Sequence, residues 1–107
     1  MNPDSKQKRI SFGYNRASNG KILIHKGQSA VVSLIFSYYL EGKSLSDIID
    51  IFEDIGIPSP QNKPRWGKQT LSNILSNIHY VGSDIYPAII DQETYIRAHD
   101  MLNFKRS

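Results

Sequence analysis

The sequence of 107 residues contains no cysteine. That excludes a disulfide framework and any zinc site built on thiolates, and it fits a reducing, cytoplasmic setting. Long apolar runs are missing as well. None approaches the roughly 20 residues of a membrane-spanning helix, and the N-terminal "MNPDSKQKRI" has no signal-peptide core, so no membrane is expected. There is no glycine-rich phosphate loop, and no serine stands in a G-x-S-x-G frame. His25, His79 and His99 have no ligand-like spacing to one another or to the acids, so no metal or cofactor is expected. The acids Asp47, Asp50, Glu53 and Asp54 lack a ligand-bearing loop and read as a solvated helix face. No catalytic constellation is visible, and this chain is not read as an enzyme.

The most informative gap is in negative charge. No Asp or Glu occurs between Asp54 and Asp84. The net charge of +3 is segregated along the chain. Residues 1–26 carry Lys6, Lys8, Arg9, Arg16, Lys21 and Lys26 against Asp4 alone. Residues 41–57 are acidic, and residues 58–83 carry only Lys63, Arg65 and Lys68. Such blocks suggest a polyanionic partner more strongly than the total does. The cations of "KPRWGKQTLSNILSN" also stand at the start of a predicted helix, where the macrodipole is already positive.

Periodicity outlines the fold. Residues 1–10 read as a basic tail or linker. Phe12 and Tyr14, then Ile22 and Ile24, alternate with polar residues around Asn19-Gly20, which predicts a β-hairpin. Over residues 28–41, Val32, Ile35, Phe36 and Tyr39 form one apolar stripe, with Gly42 as terminator. Ser44 and Asp47 make a variant capping box for a second helix with Leu45, Ile48, Ile49 and Phe52 inward, ended by Gly56 and Pro58. After the connector 57–66, a third helix from Gly67 turns Leu71, Ile74, Leu75 and Ile78 inward. Tyr80-Val81 and Ala88-Ile89-Ile90 are short strand candidates. Asp91 is the expected N-cap of a last helix with Tyr95, Ala98, Met101 and Leu102 inward. Residues 104–107 read as a C-terminal linker or a cut end. The expectation is an α+β domain over residues 11–103, mostly helical and helix-turn-helix-like, with about four helices and a small antiparallel hairpin.

The second and third helices, joined by a long connector, suggest a variant or winged helix-turn-helix. The outward set of the third helix would be Lys68, Gln69, Ser72, Asn73 and Ser76. Asn and Gln bond bidentately to adenine, and Lys reaches guanine or phosphate, so these are the candidate base contacts. Lys63, Arg65, Arg16 and Lys21 are candidate phosphate contacts, with Lys8 and Arg9 reaching an adjacent minor groove. Trp66 at N′ and Leu71 at N4 occupy the positions of a hydrophobic staple, which makes Trp66 an anchor of the helix start. Ile51 and Ile55 are either core or an apolar surface strip.

Together these residues resemble the recombinase domain of the large serine recombinases, which include phage integrases. The resemblance runs from about residue 11 to 102. It rests on Gly13-Tyr14, Val32, Ile35-Phe36, Tyr39, Gly42, Ser44-Leu45, Ile48, Gly56-Ile57-Pro58, Trp66, Thr70-Leu71, Ile74-Leu75, Asn77, Tyr80 and Gly82. It implies binding of double-stranded attachment-site DNA by this domain, with the serine nucleophile in a separate catalytic domain outside this chain. Departures are Gly67 where the family has Ser or Thr, a short segment between Gly82 and Ala88, and Ile51 and Ile55 at commonly charged positions. The last suggests contact with the catalytic domain or self-association. A protein-interaction module and a winged-helix transcriptional regulator are the alternative readings.

Overall fold

In a computed structural model of the chain, the structure describes residues 10–106. The elements are β1 (Tyr14–Arg16), β2 (Ile22–Ile24), α1 (Lys26–Leu40), α2 (Leu45–Ile55), α3 (Lys68–Leu75), a 3-10 turn (Ile78–Val81) and α4 (Gln92–Arg106). This is the expected α+β arrangement of four helices and a hairpin. α1 is the central element and packs against β1 and all three other helices.

The predicted stripes account for most of the packing. Val32, Ile35, Phe36 and Tyr39 are the buried residues of α1, and Ile48, Ile49 and Phe52 those of α2. Tyr95, Ala98 and Leu102 are buried on α4, with Met101 half-buried against the same core. The capping box of α2 forms in full: the Asp47 amide donates to Ser44 Oγ and the Ser44 amide to Asp47 Oδ2, each at 3.0 Å. Donation from the Ser44 amide first, and from its side chain second, holds the Asp47 carboxyl below the usual range. Gly56 ends α2 with φ +79°, the left-handed conformation for which glycine is favoured. Asp91 Oδ1 accepts from the Thr94 amide at 2.8 Å, the N-cap bond expected at α4. α1 begins earlier than predicted because His25 caps it, with Nδ1 accepting from the Gln28 amide at 3.0 Å. Histidine is an uncommon cap, and nothing in the apolar period marks it.

The hairpin pairs Tyr14 with Ile24 and Arg16 with Ile22 in antiparallel register. Its loop is longer than two residues, as expected, and the Lys21 amide donates back to Asn19 Oδ1. The other predicted strands do not form. Tyr80 and Val81 lie in the 3-10 turn, and among the described residues the only sheet is β1–β2. The backbone groups of this region pair without a ladder: the amides of Ile89 and Ile90 both donate to the Tyr80 carbonyl, at 2.8 and 2.9 Å. Gly82 permits this fold-back. Its φ is +96°, and a Cβ there would stand 3.1 Å from the Ala88 Cβ.

Three tyrosine hydroxyls tie distant segments together. Tyr14 donates to the Pro87 carbonyl at 2.7 Å, Tyr80 to that of Phe12 at 2.7 Å and Tyr95 to that of Ser76 at 2.8 Å. Burial first, and Tyr86 second, push the Tyr14 phenol up to about 12, and burial raises those of Tyr80 and Tyr95. An unfolded tyrosine ionises near pH 10. The folded state therefore keeps its full tyrosine contribution below about pH 10 and loses it as pH rises towards 12. Helical circular dichroism should hold to about pH 10 and collapse above it, together with the rise in phenolate absorbance. Ionisation of the Tyr14, Tyr80 or Tyr95 ring itself at pH 10, followed by ring resonances in NMR, with the helical signal intact would contradict this coupling.

Candidate nucleic-acid interface

The interface is organised by what holds α3. Trp66 is 3% exposed. Its ring meets Phe52 at 5.1 Å and the edge of Phe12 at 6.0 Å between centroids, and Nε1 donates to the Ile57 carbonyl at 2.9 Å. Trp66 thus anchors the start of α3, as expected, between the connector, α2 and the segment before β1. The connector itself is built on Ser59, which is buried. Its hydroxyl accepts from the Lys63 amide at 3.1 Å, and its amide donates to the Lys63 carbonyl at 2.9 Å. This small turn sets where Lys63 and Arg65 emerge.

Leu71, Ile74 and Leu75 are buried, as the stripe predicts. Ile78 is not: it is 57% exposed. α3 stops at Leu75, and Asn77 is extended, with its side-chain oxygen accepting from the His79 amide at 3.0 Å. Asn77 therefore starts a new turn, which breaks the 3.6-residue period before Ile78 is reached. Ser72 is also corrected. It is 8% exposed, so it belongs to the packed side of α3 and not to its outward face. Ser76 is half-buried at the C-cap, and its carbonyl accepts from Tyr95.

What remains exposed on α3 is Lys68, Gln69 and Asn73. Gln69 Nε2 donates to Asn73 Oδ1 at 2.8 Å. The bond locks two amides side by side, with Gln69 Oε1 free to accept and Asn73 Nδ2 free to donate. A shallow groove of about 210 Å³ runs along this side, lined by Gln61, Thr70, Asn73 and Asn77 among others. Gly67, the N-cap, supplies no side-chain bond, so the first amides of α3 are uncapped. Among the described residues, neither Lys63, Lys68 nor Lys21 has a carboxylate within ion-pair distance.

Arg65, a candidate phosphate contact, is paired within the chain. Its guanidinium bonds Glu53 through Nη1 and Asp50 through Nη2, the latter at 3.3 Å. These contacts, Glu53 first, raise its already high pKa. The acids of α2 are thus not simply a solvated face, because two of them hold a cation of the connector. Arg16 and Lys21 lie away from α3, in an open cleft of about 850 Å³ between the hairpin and residues 83–87. His79, stacked on Tyr86 at 4.1 Å, lines the same cleft. Asn77 and His79 bond Ser11 Oγ at 2.9 and 3.0 Å, a polar bridge between groove and cleft that the sequence reading missed. Lys8 and Arg9 lie outside the described residues. Of the two alternatives for Ile51 and Ile55, each residue takes a different one: Ile51 packs against the core, whereas Ile55 is 58% exposed. Among the described residues, no group of three His, Asp or Glu is placed to hold a metal, and no helix is long and apolar enough to cross a membrane.

Fold and surface define a four-helix α+β domain with an N-terminal hairpin that presents a short helix bearing lysine and paired amides. Residues 26–104 match the family model described as Recombinase, and the chain belongs to this family. The fold is similar to that of the solved structure "Crystal Structure of a LSR-DNA Complex", with a TM-score of 0.74 and 21% identity over 92% of this chain and 35% of that one. A structure from "Sequence Requirements of the Listeria innocua prophage attP site" matches with the same score and identity, over 94% of this chain and 44% of that one. The chain spans less than half the length of either.

Proposed function

We propose that the domain binds double-stranded DNA sequence-selectively, as the attachment-site-reading part of a site-specific serine recombinase whose cleaving serine belongs to a separate catalytic domain. The observation that carries this reading is the exposed, acid-free face of α3, with Lys68 beside the coupled amides of Gln69 and Asn73. An acceptor next to a donor is complementary to the N6 amino group and N7 of adenine in the major groove. Lys63 flanks the helix, and Arg16 and Lys21 supply further phosphate contacts, with Lys8 and Arg9 on the tail. That one structurally similar protein was solved as a complex with DNA supports this assignment. A winged-helix regulator is disfavoured, since among the described residues no strand follows α3.

The test is selection of bound duplexes from a random pool, followed by titration of variants. Gln69→Ala and Asn73→Ala are each expected to cost about 1–3 kcal/mol on the selected duplex and little on random duplex. Equal losses on both would remove these residues from base readout.

A further inference from the structure

Arg65 stands immediately before the helix assigned to base reading, yet it faces the two carboxylates of Asp50 and Glu53. One guanidinium against two carboxylates is a net negative cluster, placed where the sequence alone puts a cation. All three side chains are solvent-accessible, at 55% exposure for Arg65, 66% for Asp50 and 47% for Glu53. Such a pair is weak and exchangeable. Burial does not require it, since Trp66 and Ser59 already hold the connector. The third exposed acid at this end of α2, Asp54, has no cationic partner among the described residues.

We propose that Asp50 and Glu53 are specificity determinants of the DNA interface, holding Arg65 back from the phosphate backbone of non-cognate duplexes. A loosely seated duplex meets a net negative cluster and gains nothing from Arg65. A duplex that lets α3 seat fully brings a phosphate within reach of the guanidinium, and because the exposed pair is weak, a charge-assisted bond to the phosphate replaces it. Arg65 thereby contributes after base reading instead of before it. Because non-specific affinity is almost wholly electrostatic, withholding one cation lowers it selectively. This inference rests on the DNA-binding reading above.

The experiment compares Glu53→Gln and Asp50→Asn with the parent chain. The probes are a fluorescein-labelled duplex of random sequence and the duplex recovered by selection. Each substitution is expected to tighten random-duplex binding about two- to fivefold, the range set by the strength of an exposed ion pair, and to change selected-duplex binding less. The gain should largely vanish in the Arg65→Ala background, and Asp54→Asn should produce a smaller one. An equal gain with and without Arg65, or an equal gain from Asp54→Asn, would mean simple removal of negative charge and would overturn the proposal. So would no gain at all from a parent chain that binds both duplexes. A parent chain that binds neither duplex overturns the DNA-binding reading first and this one with it. Thermal melting of each variant separates loss of fold from loss of binding.

Discussion

Raising monovalent salt from about 50 to 200 mM should weaken duplex binding by this domain roughly a thousandfold. Each phosphate contact releases condensed counterions, giving a log–log slope of about −0.9 per contact on B-form DNA. Lys63, Lys68, Arg16 and Lys21, with Lys8 and Arg9, set a slope of about −4 to −6. Fluorescence anisotropy at several salt concentrations measures it directly. The structure strengthens the expectation, because among the described residues Lys63, Lys68 and Lys21 are not spent on internal carboxylates. A slope near zero would show that the charge segregation serves something other than a polyanion.

Replacing Trp66 with alanine should be the most destabilising single change in the interface, at about 3–5 kcal/mol. The indole fills the junction between Phe12 and Phe52, and its N–H satisfies the Ile57 carbonyl. Alanine leaves a cavity and removes the partner of that carbonyl. A domain of this size holds about 5–15 kcal/mol in total, so melting should fall by roughly 15–30 °C. Calorimetry or helical circular dichroism reads the shift. Trp66→Phe should recover part of it by refilling the volume without restoring the hydrogen bond. DNA affinity should be lost in proportion to the unfolded fraction. A Trp66→Ala chain that melts normally but binds poorly would reassign Trp66 from anchor to DNA contact.

Legibility from sequence differed from element to element. The limits and buried stripe of α2 were readable, since its capping residues, inner stripe and terminating glycine are all local signals within about a dozen positions. The buried stripes of α1 and α4 were readable for the same reason. The third helix was readable only to Leu75. Asn77 begins a new turn through a side-chain bond to His79, and a period extrapolated past that break put Ile78 on the wrong side. The strands expected at Tyr80-Val81 and Ala88-Ile90 failed because apolar content does not specify a hydrogen-bond partner. Here the Tyr80 carbonyl takes both amides.

By itself the sequence determined the helical core, the hairpin turn, the capping of α2 and the presence of an acid-free basic segment. These follow from spacing, charge and turn chemistry, which act between near neighbours in the chain. Only the tertiary structure decided which of the basic and polar residues are available. Packing buried Ser72, and a contact fifteen residues back in the chain tied Arg65 to Asp50, whereas Arg16 and Lys21 stayed exposed along an open cleft between hairpin and loop. Exposure and ion pairing depend on which helix lies alongside, and that is settled by contacts between residues far apart in sequence.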